Sequence, residues 1–107
     1  HRKPCFKLSK RWGNENMATH IFETGLTGWY YRVLTPGSCK AGDVIEVIKS
    51  DPVHMSILEI NRLFYAPNEN LNLLEKFNAL TTLTNGWHDD MKRRIEGIYS
   101  TEFMRTL

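Results

Sequence analysis

The feature that most constrains the fold of this chain is a change of hydrophobic period at residues 50–52, which read Ser-Asp-Pro. Before this point, residues 28–49 hold aromatic and β-branched runs broken by a Pro-Gly pair, a pattern typical of strands and turns. After it, apolar residues recur with the 3.6-residue period of amphipathic helices. At 107 residues the chain is one small domain or two very small pieces. We therefore predict two domains, at residues 1–52 and 53–107.

The second part is predicted to be a three-helix bundle around one small core. Ser56 and Glu59 have the spacing of a capping box, in which the serine caps the helix and the glutamate reaches back to the cap. Two further apolar stripes predict helices over about residues 70–80 and 85–99. Residues 100–107 are predicted to be frayed or loosely packed, as chain ends commonly are.

The first part is predicted to contain one short helix, over residues 14–24, and a hairpin of two strands. The strands cover residues 29–34 and 44–49, and the long loop between them contains Cys39. Arg32 is the one charge on the first strand, either as an edge-strand residue or as a ligand for an anion. Two strands and one short helix are too few to bury both faces of a sheet. This part therefore either packs against additional chain or belongs to a longer protein.

The N-terminal stretch is where the sequence suggests chemistry. Five basic residues precede the first carboxylate, Glu15, whereas the rest of the chain has more acidic than basic residues. If residues 3–8 are extended, their side chains alternate between two faces, so that Lys3, Cys5 and Lys7 share one face. Cationic neighbours favour the thiolate, which is the nucleophilic and metal-binding form of cysteine. The alternative is a surface strand with a solvated basic face and an incidental cysteine.

Composition and sequence pattern indicate the cellular compartment expected for this chain. No run approaches about 18 consecutive apolar residues, so no membrane span is predicted, and no signal peptide is recognisable. Hydrophobic residues make up 41% of the chain and charged residues 24%, which is ordinary for a soluble globular protein. Two cysteines do not form a disulfide scaffold, and reduced thiols in the cytoplasm are the simpler expectation.

Two motifs, in this order, resemble the C-terminal half of a MOSC domain, the domain named for the C-terminus of the molybdenum-cofactor sulfurase. Residues 4–8 read Pro-Cys-Phe-Lys-Leu and are followed by Arg11, and residues 25–34 read Gly-Leu-Thr-Gly-Trp-Tyr-Tyr-Arg-Val-Leu. Downstream, the Asn-Arg-Leu-Phe-Tyr of residues 61–65 and Trp87 resemble the small three-helix (3-alpha) domain that follows MOSC in YiiM-type proteins. The resemblance covers nearly the whole chain.

The resemblance implies an α+β fold, in which the C-terminal part of a MOSC-type β-barrel precedes a three-helix bundle and the first strands of the barrel are absent. It also implies a molybdenum cofactor (molybdopterin), with Cys5 as the catalytic residue and the protein ligand of the metal. A thiolate suits this thiophilic metal. The phosphate of the cofactor would suit the basic side chains Lys3, Lys7, Arg11 and Arg32. The last three lie in the matching motifs, whereas Lys3 is included only because an extended strand would place it on the same face as Cys5.

The activity implied for the full-length protein is a molybdenum-dependent oxidoreductase, independent of pyridoxal phosphate. It would detoxify N-hydroxylated base analogues such as hydroxylaminopurine by reducing the N–O bond to an amine, with electrons from a separate flavin or iron–sulfur protein. The alternative is a cofactor or sulfur carrier with a persulfide on Cys5, or a binding module whose helical part docks a redox partner or nucleic acid. Residues 53–107 have no broad basic stripe, so nucleic acid is the less favoured partner. The oligomeric state is left open.

Overall fold

The protein is built from short helices. A computed structural model describes residues 3–99. The α-helices are α1 (Phe6–Trp12), α2 (Met17–Thr24), α3 (Ile57–Tyr65), α4 (Leu74–Asn78) and α5 (Asn85–Ile95), and two 3₁₀ turns (Pro67–Glu69 and Leu71–Leu73) connect α3 to α4. None of the helices within the described range is long and apolar enough to cross a membrane.

The predicted α+β fold with part of a MOSC-type β-barrel is wrong, because residues 3–99 form no strand. The two predicted strands, residues 29–34 and 44–49, lie in an exposed segment without regular structure, and Val44 is 94% exposed. A strand depends on hydrogen bonds to a neighbouring strand, and strand preference measures packing against such neighbours more than a property of the backbone. An isolated two-stranded hairpin is marginal at best, so β-type composition alone does not produce a sheet here.

The predicted extended conformation of residues 3–8 is also wrong from Phe6 onward, where α1 begins. Helix α1 packs against α2, and the hydroxyl of the buried Ser9 accepts a hydrogen bond of 3.1 Å from the backbone N–H of Ala18. Gly13 ends the helix in the left-handed region and returns its N–H to the carbonyl of Ser9. The contact with α2 explains why the alternating pattern does not decide the conformation, since tertiary packing routinely overrides such local preferences.

Helix α2 agrees with the prediction at its C-terminal end. It starts at Met17, three residues later than predicted, because the side chain of Asn14 accepts a hydrogen bond from the N–H of Asn16 and holds a turn there. It ends at Thr24, as predicted, and Gly25 follows as the C-cap at a φ of 70°, with its N–H bonded to the carbonyl of Ile21.

Helices α3, α4 and α5 surround the core, as predicted for the second part of the chain. The buried apolar side chains form one cluster, composed of Ile60, Leu63, Phe64, Phe77, Leu80, Trp87 and Met91. Phe64 and Trp87 meet edge to face with their ring centroids 5.7 Å apart, a favourable geometry for aromatic pairs. Phe22 of α2 packs against the same cluster from outside the bundle.

The capping box at the start of α3 is confirmed. The Ser56 hydroxyl accepts a hydrogen bond of 3.1 Å from the N–H of Glu59, and the Glu59 carboxylate accepts one of 2.7 Å from the N–H of Ser56. Lys76 of α4 donates to the same carboxylate at 3.1 Å. These bonds satisfy donors that a helix N-terminus otherwise leaves unpaired.

The other two helices of the bundle are shorter than predicted. The side-chain amide of Asn70 donates to the carbonyls of Arg62 and Ala66, which ends α3 and leaves 3₁₀ turns where the second helix was expected to start. Helix α5 ends at Ile95, because Gly97 turns the chain at a φ of 79°. The prediction for residues 100–107 lies outside the described residues, and the division at residue 52 stays a prediction.

Candidate functional site

Cys5 lies at the N-cap of α1, directly before its first residue. Its backbone is extended, with φ −143° and ψ 168°, and its carbonyl accepts a hydrogen bond of 3.1 Å from the N–H of Leu8. The neighbouring Pro4 is fully buried, whereas the Cys5 side chain is half-buried and its thiol is free. The backbone around the thiol is therefore held by the start of a helix on one side and by a buried proline on the other.

Helix α1 arranges the basic residues that follow Cys5. Lys7 and Arg11 are four residues apart in the helix, so their side chains lie on one face, one turn from each other. Lys10 is three residues from Lys7 and extends the same exposed face. The guanidinium of Arg11 lies over the ring of Trp12, 4.8 Å from its centroid. The helix thus presents three cations to solvent just after the thiol, a grouping that suits a phosphate or another anion.

Lys3 does not join this basic face. Its ammonium lies over the rings of Trp87, Tyr99 and Phe64, at 4.4, 5.2 and 5.1 Å from their centroids. It also forms an ion pair with Asp90 of α5. The face shared by Lys3, Cys5 and Lys7, which the alternation predicted, does not form because the chain becomes helical at Phe6.

Arg32 lies in the exposed segment of residues 28–50. Its side chain makes no hydrogen bond or ion pair with another residue of the described range. The structure therefore places Lys7 and Arg11 together, next to Cys5. The Lys3 side chain instead packs against the core of the helical bundle. Arg32 forms no hydrogen bond or ion pair with Cys5, with its basic neighbours or with the residues around Lys3. The candidate roles of all four residues in cofactor binding stay predictions.

The second thiol and one of the four histidines lie at the surface. Cys39 is exposed in the connection between the two predicted strands, and His20 is exposed on α2. Across residues 3–99, no group of three His, Cys, Asp or Glu side chains is placed to hold a metal ion. Protein side chains within that range thus offer at most a partial ligand set, in which Cys5 is the half-buried thiol.

Sequence reasoning missed the surroundings of Lys3. Trp87 and Asp90 are three residues apart on α5, a spacing that puts them on one helix face and is visible in the sequence. Their pairing with Lys3, 87 residues from Asp90, has no local signal. A cavity of about 500 Å³ opens beside the Lys3 side chain, lined by Trp87, Asp90, Tyr30 and Thr84 among others.

Hydrogen bonds within the fold lower the pKa of two carboxylates, Glu59 and Asp51. The backbone N–H of Ser56 and the hydrogen bond from Lys76 lower the pKa of Glu59 below its usual value. The backbone N–H of Val53 and the hydroxyl of Thr82 lower the pKa of Asp51 in the same way. Hydrogen bonds to a carboxylate favour its charged form, which explains the direction of both changes.

Comparisons with known proteins agree with the motifs around Cys5. An uncharacterized protein of Bacillus subtilis, YflK, is 29% identical over 101 residues, which cover 94% of this chain and 46% of YflK. A protein of Gibberella moniliformis named "Reductase" is 33% identical over 100 residues, which cover 94% of this chain and 18% of that protein. The chain thus spans less than half the length of the curated relatives it matches, and no solved structure matches it. Residues 1–46 match the MOSC domain family, and the resemblance of this chain to that family is therefore confirmed.

Proposed function

We propose that this chain is part of a molybdenum-cofactor-dependent oxidoreductase in which Cys5 supplies a thiolate ligand to the metal. The observation that carries the proposal is the position of Cys5 inside the MOSC match, at the start of a helix that presents basic side chains. The Gibberella relative, named a reductase, supports an oxidoreductase role at the coarser level.

The residues present fit such a cofactor. A half-buried thiol is a suitable protein ligand for a thiophilic metal. Lys7 and Arg11, on the adjacent helix face, fit the charge of a phosphate-bearing cofactor. Arg32 is proposed as a further basic residue for the same anion.

The proposed reaction is the reduction of N-hydroxylated compounds such as base analogues. When bound, the cofactor supplies a two-electron reduction, in which an N-hydroxyl group, two electrons and two protons give an amine and water. The electrons come from a separate flavin or iron–sulfur protein. The contribution of this chain is binding, through the Cys5 thiolate and the basic face of α1.

The test uses the full-length protein, made in a host that synthesises the cofactor. Cys5→Ala is compared with Cys39→Ala, which removes the exposed thiol. Molybdenum content is measured by elemental analysis, and reductase activity with hydroxylaminopurine and a chemical electron donor. We expect Cys5→Ala to lose most of its molybdenum and activity, while Cys39→Ala keeps both.

Two results would contradict the proposal. If Cys5→Ala keeps full molybdenum and full activity, Cys5 is not the ligand. If a persulfide is trapped on Cys5 in protein that contains no molybdenum, the chain acts as a sulfur carrier instead.

A further inference from the structure

The surroundings of the Lys3 ammonium form a binding site for a cation. Phe64, Trp87 and Tyr99 direct their rings at the ammonium from about 5 Å or less, and Asp90 supplies the negative charge. We call these four residues the ammonium cage. Aromatic faces attract cations within about 6 Å of the ring centroid, and the attraction grows when the cation is removed from water. The Lys3 side chain is only 18% exposed, so the cage shields it from most of the solvent.

The cage belongs to the helical bundle. Phe64 and Trp87 are members of the buried core, and Tyr99 packs against it. Phe64 and Tyr99 meet edge to face at 5.4 Å between their centroids. The rings around the ammonium are therefore packed into or against the core itself.

The connection from the cage to Cys5 is short and stiff. Two residues of backbone span at most about 7 Å, so the α-carbon of Cys5 is never farther than that from the α-carbon of Lys3. Pro4, which joins them, has a restricted φ and also limits the conformation of Lys3. Pro4 is buried, which adds a second point of attachment. Fixing the ammonium of Lys3 thus restricts where the thiol of Cys5 can lie.

We propose that the ammonium cage positions Cys5, and that Lys3 is a positioning residue which anchors the thiol-bearing segment to α3 and α5. The cage fixes the Lys3 ammonium, and the short Pro4 linkage limits how far Cys5 can move from it. On the other side of Cys5, the first turn of α1 fixes the backbone from Phe6 onward. The inference concerns where Cys5 is held, so it stands apart from the proposed function and applies whether or not the thiol binds a metal.

The experiment compares thiol alkylation at Cys5 and Cys39 in the full-length protein, made in a host that does not synthesise the molybdenum cofactor, so that the rates report the position of the thiol and not its occupancy by a metal. Iodoacetamide labelling rates are read peptide by peptide by mass spectrometry, and the exposed Cys39 serves as an internal reference. Asp90→Asn removes the charge of the cage but keeps the Lys3 cation itself. The matched control is Asp89→Asn, which changes the adjacent exposed carboxylate.

We expect Asp90→Asn to raise the Cys5 rate, relative to Cys39, by about fivefold, the factor that corresponds to losing a partly exposed ion pair. Asp89→Asn leaves the ratio unchanged. Circular dichroism shows whether the helices of each variant remain intact. If Asp90→Asn leaves the ratio at the level of Asp89→Asn, the proposal is wrong.

Substitutions at Lys3 keep the test decisive if Asp90→Asn disturbs the fold, because Lys3 lies outside the helices. Labelling rates are then measured across a range of pH in which lysine side chains keep their charge, and the variants are compared by the limiting rate of the thiolate, so that a change in thiol ionisation does not bias the comparison. Lys3→Met is expected to raise the ratio, Lys3→Arg to restore it through another cation, and Lys49→Met, at an exposed position outside α1 and the cage, to leave it unchanged. The double variant Lys3→Met/Asp90→Asn is expected to match Lys3→Met, because without the ammonium the charge of Asp90 has no partner in the cage to hold. Multiplying effects, or no change in Lys3→Met, would overturn the proposal.

Discussion

Leu63 and Leu34 provide a matched pair for testing which parts of this chain are packed. Leu63 on α3 is 0% exposed within the core, whereas Leu34 in the segment of residues 28–50 is 88% exposed. Leu→Ala removes three carbon atoms, and burial of each is worth about 0.8 kcal/mol, which amounts to about 2.4 kcal/mol for Leu63. The cavity left in a closed core adds to this loss, so we expect Leu63→Ala to lower the free energy of unfolding by about 3 kcal/mol. For Leu34→Ala we expect a change within about 0.5 kcal/mol.

The assay is urea unfolding followed by tryptophan fluorescence. Trp87 is 7% exposed, so its emission reports on the core. The slope of the unfolding free energy against urea concentration should be the same in both variants. A loss below about 1 kcal/mol for Leu63→Ala would refute the assignment of the core, because it falls under the range for a buried leucine. A loss for Leu34→Ala as large as that for Leu63→Ala would refute the exposure of residues 28–50.

Three further predictions concern helix ends. Ser56→Ala removes the capping box and should lower the free energy of unfolding by about 1 kcal/mol. Because the pKa of Glu59 is lowered in the folded protein, its ionised carboxylate stabilises the fold above the ordinary carboxyl pKa, and this stabilisation is lost as the pH falls through the lowered pKa. Glu59→Gln should therefore flatten the acid side of a profile of unfolding free energy against pH. An unchanged profile would contradict this. Gly25→Ala should destabilise the protein by about 1–2 kcal/mol, because φ is +70° and a β-carbon there would lie 3.2 Å from the backbone nitrogen of Leu58. The control Gly86→Ala meets only ordinary contacts in α5 and should be neutral or stabilising by thermal unfolding.

Features predicted correctly from the sequence depend on residues close together in the chain. The capping box joins Ser56 to a residue three positions away, and Gly25 ends α2 through a bond to the fourth residue before it. The apolar stripes of the bundle likewise follow from helical spacing, which places every third or fourth residue on one face. The two motifs at residues 4–8 and 25–34 together indicated the MOSC resemblance, which the family match then confirmed.

The failures concern segments whose conformation depends on partners elsewhere. The strand patterns at residues 29–34 and 44–49 describe side chains suited to a sheet, but a sheet needs neighbouring strands, and the described residues provide none. The alternation at residues 3–8 predicted a shared face for Lys3 and Cys5. Helix α1, packed on α2, replaced that face with one shared by Lys7 and Arg11.

The sequence by itself determined the C-terminal end of helix α2, the capping box at the start of α3, the helical character of the bundle, and that a thiol with nearby cations lies in a MOSC-like motif. Only the tertiary structure decided that Cys5 begins a helix and that Lys3 turns into an aromatic cage. Helix caps and stripes are set by contacts within about one turn, so they can be read locally. The cage joins Lys3 to Asp90 across 87 residues, and nothing in the neighbourhood of either residue indicates the other until the core brings them together.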